Sequence, residues 1–163
     1  MVEVQSDLLD VPISQLADQV VALLQHWQAD TGEVLVLESL PPGDSAVLEL
    51  LSSKLPKTRL LPFEHLWRDG FPVSPAQLWI STRFHSHLMA AAAGAPGVAL
   101  VASDRMRMEH QSLVDLGSGW TVLGADDALI EAPAKSLTPF DGQYAALVER
   151  KRAVAEGFVK VPA

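Results

Sequence analysis

Arg83, His85 and His87 lie close together in "STRFHSHLMAAAAGAPGVAL" (residues 81–100), between a short aliphatic run and a block of alanines. An arginine and a histidine flanking a helix start can hold an anion. Unpaired N–H groups point outward there, and the helix dipole favours negative charge by about 0.3–1 kcal/mol. A guanidinium adds a bidentate grip on a carboxylate or phosphate. An imidazole is suited to general acid work near neutrality. On this reading Arg83 clamps one anionic group, N–H groups near Phe84 and His85 hold a second, and His85 is the candidate catalytic acid. As purely structural residues, Arg83 would instead make a surface salt bridge and His85 would bond a carbonyl in the core. His87 faces another side of the helix, toward solvent or a capping role. The His-x-His spacing directs its rings apart with no carboxylate nearby, so no metal site is expected.

The elements around these residues must place them at a strand end. "QLWIS" (Gln77 to Ser81) predicts a strand stopping near Ser81 or Thr82, followed by a helix from near Phe84 or His85. Ala90 to Ala93 let that helix lie close to a sheet, and Gly94 and Pro96 stop it before "GVALVAS" (Gly97 to Ser103), a further strand. Upstream, Val2 to Gln5, Glu33 to Leu40 and Thr58 to Pro62 read as strands. Ile13, Leu16, Val20, Leu23, Leu24 and Trp27 form a helical stripe after Pro12, and Val47, Leu48, Leu51 and Leu55 form a second, with Asp44 or Ser45 as its cap. "FEHLW" suggests one helical turn and "DGFPVSP" a loop. Downstream, "DRMRMEHQSLVDLG" reads as a helix closed by Gly117, "WTVL" as a last strand, and Pro139 to about Phe158 as a terminal helix. Strands alternating with helices predict an α/β, Rossmann-like three-layer fold with a parallel sheet, as one domain over residues 1–163. Ligands of such sheets bind beyond the carboxyl ends of the strands. The loops expected there are Ser6 to Asp10, Ser39 to Ser45, Ser81 to His85 and Ser103 to Arg107.

Composition narrows the partners. A chain of 163 residues, 48% hydrophobic and 20% charged, has the makeup of an ordinary globular protein. With no cysteine, disulfides, thiolate catalysis and cysteine-type zinc sites are excluded. A formal net charge of -8 argues against nucleic acid or an anionic membrane surface, so an anionic small ligand needs a local basic cluster such as Arg83, Arg105 and Arg107. Arg150, Lys151 and Arg152 read as a solvated helix face. No transmembrane segment or signal peptide is expected, and the expected compartment is the cytoplasm. Neither a GxGxxG fingerprint nor a P-loop is present.

The segment "STRFHSHLMAAAAGAPGVALVASDRMRM" resembles the C-terminal half of polysaccharide pyruvyl transferases. That family's signature is an Arg-x-His at a strand end, a small-residue helix, Gly-x-Pro, an aliphatic strand and a basic residue. Here these are Arg83-Phe84-His85, the alanine helix, Gly94-Ala95-Pro96, Val98 to Val101, and Arg105. The resemblance implies the C-terminal half of a GT-B fold that works with a missing N-terminal domain or partner chain in exopolysaccharide biosynthesis. It implies transfer of an enolpyruvyl group from phosphoenolpyruvate, as donor substrate and with no cofactor, to a hydroxyl of a saccharide acceptor. Arg83, Phe84, Arg105, Ser81 and Thr82 would bind the donor and His85 would be catalytic. Asp7 and Glu109 are candidates for contacting the acceptor or a ribose.

Two other readings stand beside this one: the donor domain of a nucleotide-sugar-dependent GT-B glycosyltransferase, and a non-catalytic interaction or dimerisation domain. Glu109 and His110 could approach a ligand, but a solvated helix face is the favoured reading. Trp27, Trp79 and Trp120 lie in apolar patterns as core residues, whereas Trp67, beside Glu64 and His65, could stack on a sugar.

Overall fold

A computed structural model describes residues 1–163 apart from Leu8, Thr31, Pro42, 135–139 and 160–163; at Ser45, 140–144 and 158–159 the backbone alone is described. Six strands alternate with helices: β1 (Val2–Glu3), α1 (Ile13–His26), β2 (Val34–Leu37), α2 (Ala46–Ser52), β3 (Thr58–Leu61) and α3 (Phe63–Asp69). They are followed by β4 (Trp79–Ser81), α4 (Phe84–Ala92), β5 (Gly97–Val101), α5 (Asp104–Asp115), β6 (Thr121–Gly124) and α6 (Phe140–Val159). All strand pairs are parallel, in the order β3-β2-β1-β4-β5-β6. The fold is therefore the expected α/β, Rossmann-like arrangement. Its strand order reverses between β1 and β4, the crevice where such sheets take ligands.

Alternation along the strands builds two cores. Val34, Val36, Ile80, Val98 and Leu100 face α1 and α2, where Leu16, Val20, Leu23 and Leu51 are buried. Leu37, Trp79 and Ala99 face the other way, toward Ala90 and Ala91 of α4 and the ring of Trp120. The alanines do let α4 lie close to the sheet. Gly94, at φ +75°, donates to Ala91 O and Ala95 N donates to Ala90 O, both at 2.9 Å, the paired bonds of a Schellman stop. Gly97 is required for a different reason: a Cβ there would sit 2.5 Å from the Trp120 ring.

Several strands end earlier than the apolar runs suggest, because side chains capture the next N–H groups. β2 stops at Leu37 rather than Leu40 because Asp44 Oδ2 accepts from Ser39 N (3.1 Å) and Leu40 N (2.8 Å). Asp44 is thus not the cap of α2; it ties down the turn before it. Gln5 N donates to Thr82 Oγ1 at 2.8 Å, which ends β1 at Glu3. β5 ends at Val101 because Ser103 becomes the N-cap of α5, its Oγ accepting from Met106 N. "FEHLW" extends beyond one turn, to Asp69, as a helix with no buried residue. The expected helix start at Pro139 lies outside the described residues. Among those described, no helix is long and apolar enough to cross a membrane.

Candidate functional site

A cleft of about 570 Å³ opens beyond the carboxyl ends of the strands. Its floor comes from the ends of β1, β2 and β4 through Gln5, Ser39 and Thr82. Its walls are the first turns of α4 (Arg83, Phe84, His85, Ser86) and α5 (Ser103, Arg105, Met106, Glu109). Phe63, Leu66 and Phe71 close a third side. The topology brings these segments together because β1 and β4 are neighbours across the reversal, although nearly the whole first half of the chain separates them.

Arg83 is the N-cap residue of α4 and supplies no side-chain acceptor to the helix N–H groups. The bidentate grip expected for a ligand is made within the protein: Nε donates to Asp44 Oδ2 at 3.0 Å and Nη2 to Asp44 Oδ1 at 2.5 Å. Glu3 and Asp7 lie 3.7 and 3.8 Å away. With its side chain 21% exposed, Arg83 keeps Nη1 as the guanidinium nitrogen without a partner among the described residues. Glu3 is fully buried and accepts from Ser39 Oγ and, at 3.3 Å, from Ser81 Oγ. Burial pushes its carboxyl above the usual range, opposed by bonds from Ser39 and Ser86 and by Arg83.

The remaining expected site residues divide. His85 is exposed on the cleft, its ring edge-on to Phe84 at 5.6 Å. Arg105 also lines it, with Nε donating to Glu109 Oε1 at 2.9 Å and its side chain largely exposed. Thr82 lines the floor. Ser81 does not face the cleft: it is buried, and its Oγ accepts from Arg83 N at 3.0 Å while donating to Glu3, which makes it a support for the β4–α4 turn. Asp7 is half exposed and approaches through Arg83. Among the described residues, no group of three histidine or carboxylate side chains converges on a metal position.

His87 and His110 correct their expected solvent-facing roles. Both are buried, with Nδ1 atoms 2.9 Å apart, and His87 stacks on Trp120 at a centroid distance of 4.4 Å. The Thr82 carbonyl can only accept, so His110 Nε2, at 3.1 Å, carries a hydrogen and donates. In neutral His110, Nδ1 is then the acceptor. It receives the Nδ1–H of His87, whose Nε2 accepts from Ser118 Oγ at 2.8 Å. Burial pushes His87 down to about 3, with neighbouring His110 adding to the effect; burial also lowers His110, opposed by Thr82 and Glu109. Two neutral rings therefore form a strut from α5 and Ser118 to the floor of the cleft.

Asp44, Glu3, His87 and His110 are the residues sequence reasoning missed here. "SLPPGD" is a turn in which an aspartate can cap backbone N–H groups, and Glu3 is an isolated acid in a strand; both were legible signals. The histidine pair, 23 residues apart, carries no local signal. In comparisons with known proteins, no family model, no curated protein and no solved structure matches the chain.

Proposed function

We propose that the chain is the donor-binding half of a pyruvyl transferase, comparable to the C-terminal half of a GT-B enzyme. It would move the enolpyruvyl group of phosphoenolpyruvate to a sugar hydroxyl and close it to a pyruvate ketal. One observation carries this reading: the first turns of α4 and α5, bearing Arg83, His85 and Arg105, open on the same cleft at the switch in strand order. Phosphoenolpyruvate carries a carboxylate and a phosphate, and two helix starts with separate cations match that pair. Asp44 holds Arg83 in a single orientation, so the cation offers a preorganised Nη1 contact rather than a mobile fork.

In this scheme a sugar oxygen adds to C2 of the donor as His85 delivers a proton to C3, turning the methylene into a methyl group. Asp7 or Glu109 takes the proton of that hydroxyl. A second hydroxyl on the sugar then displaces phosphate from C2, and its proton leaves with the phosphate. A cytoplasmic enzyme with a further domain or partner chain that closes over the cleft and helps bring the acceptor completes the proposal.

Calorimetric titration of the chain with phosphoenolpyruvate, and separately with UDP- and GDP-sugars, tests it. Phosphoenolpyruvate is expected to bind, with an affinity reduced at least about tenfold in Arg105→Ala through loss of a charge-assisted contact. Nucleotide-sugar binding without a phosphoenolpyruvate signal would assign the cleft to a glycosyltransferase instead. Absence of both would leave a non-catalytic domain.

A further inference from the structure

Helix α3 presents a second feature that the donor chemistry does not use. Phe63 and Trp67 are four residues apart, so they share one face, and their rings lie 6.3 Å apart at 34°. Trp67 is 83% exposed and Phe63 37%. Phe63 and Leu66 line the cleft that holds Arg83 and His85, so Trp67 extends that wall outward. Along the adjacent face run Glu64 and Arg68, both exposed, with the Arg68 fork closed on Asp69 at 2.9 and 2.8 Å.

We propose that the Phe63–Trp67 face of α3 is a saccharide subsite, on which a pyranose ring of the acceptor lies while its hydroxyls reach Glu64 and Arg68. A pyranose has an apolar C–H face and a rim of hydroxyls, which matches an aromatic row beside a row of planar polar groups. Area favours this occupant over a protein. A whole aromatic side chain offers about 150–250 Å², and Phe63, 37% exposed, offers only part of that beside Trp67, so the patch is well below the roughly 800 Å² per partner of a stable interface. Position favours it too, because the α3 wall is continuous with the donor cleft. The inference rests on the transferase reading for the identity of the sugar as an acceptor.

The other tryptophans are sheltered: Trp79 and Trp120 are buried and Trp27 is half-buried. Iodide quenching of fluorescence therefore reports on Trp67. Methyl glycosides of glucose, galactose and mannose, together with cellobiose and lactose, are the probes, with saturation-transfer NMR as the second readout. At least one probe is expected to shield Trp67 from iodide. Trp67→Ala should weaken its binding at least about tenfold, the loss of one stacking contact, while Trp67→Phe retains most of it. Phosphoenolpyruvate binding should change less than twofold in both variants. The subsite is overturned if no probe shields Trp67, if Trp67→Ala binds the sugar as well as the parent, or if the patch proves to bury a second copy that Trp67→Ala releases. Sugar binding without phosphoenolpyruvate binding would remove the pyruvyl reading and leave the platform; the opposite pattern would remove only the platform.

Discussion

His85 and His87 stand two positions apart in α4 and occupy opposite environments. His85 is exposed on the cleft wall, whereas His87 is fully buried between His110 and Trp120. Two residues turn the helix by about 200°, so one imidazole must face the ligand side when the other faces the α4–α5 interface. The difference teaches that identical side chains are divided by helix geometry into an accessible group on the cleft and a buried structural one. The two are also linked: His110 bonds the Thr82 carbonyl just before Arg83, so the buried pair holds the turn from which His85 projects.

Substitution separates the two roles most sharply. His87→Ala removes the ring stacked on Trp120 and strands His110 and Ser118, and a loss of about 3–5 kcal/mol in urea unfolding is expected. Acid offers a gentler break. Unfolded histidine takes up a proton near pH 6.5, whereas folded His87 resists until about 3. Its contribution is therefore complete above pH 6.5 and lost as pH falls through that window, amounting to about 2 kcal/mol between pH 7 and pH 5. Glu3, whose raised value acts with the opposite sign, is shared by the parent and His87→Gln. The difference between their stability profiles isolates the histidine, and a constant difference across pH 5–7 would refute its neutrality.

Gly97→Ala presses on the same Trp120 ring from the sheet side, with an expected cost of about 1–3 kcal/mol. Thermal unfolding would register it, and an unchanged midpoint would show that the ring can move aside. The smallest stability effect belongs to His85→Ala, within about 0.5 kcal/mol of the parent, as for an exposed side chain. Under the proposed mechanism, the same variant lowers transfer by roughly 10²–10⁴, the range for losing a general acid. Unfolding and transfer assays on one preparation would thus show one histidine controlling stability and the other activity.

Much of the fold was legible locally. The Ala90–Ala93 block followed by Gly94 announced a close-packed helix with a glycine stop, and the pattern along α1 announced its buried face. The cleft's position followed from strand ends in a parallel sheet, which brought Arg83, His85 and Arg105 to one place as expected. The partners of those residues were less accessible. Nothing near Arg83 identifies Asp44 as the carboxylate that takes its guanidinium, because the contact joins segments 39 residues apart. His87 looked like a surface residue in a polar stretch until α5 and Trp120 enclosed it.

The sequence alone determined where helices and strands alternate, because apolar spacing and glycine or proline stops act over a few residues. It also determined that cationic groups stand at two helix starts. Only the tertiary structure decided which charges meet and which histidine remains free. Those outcomes depend on the strand order β3-β2-β1-β4-β5-β6, which sets Glu3, Asp44 and Arg83 side by side and packs His87 against His110. Such contacts are made across the sheet and between helices, at separations where no local rule of spacing applies.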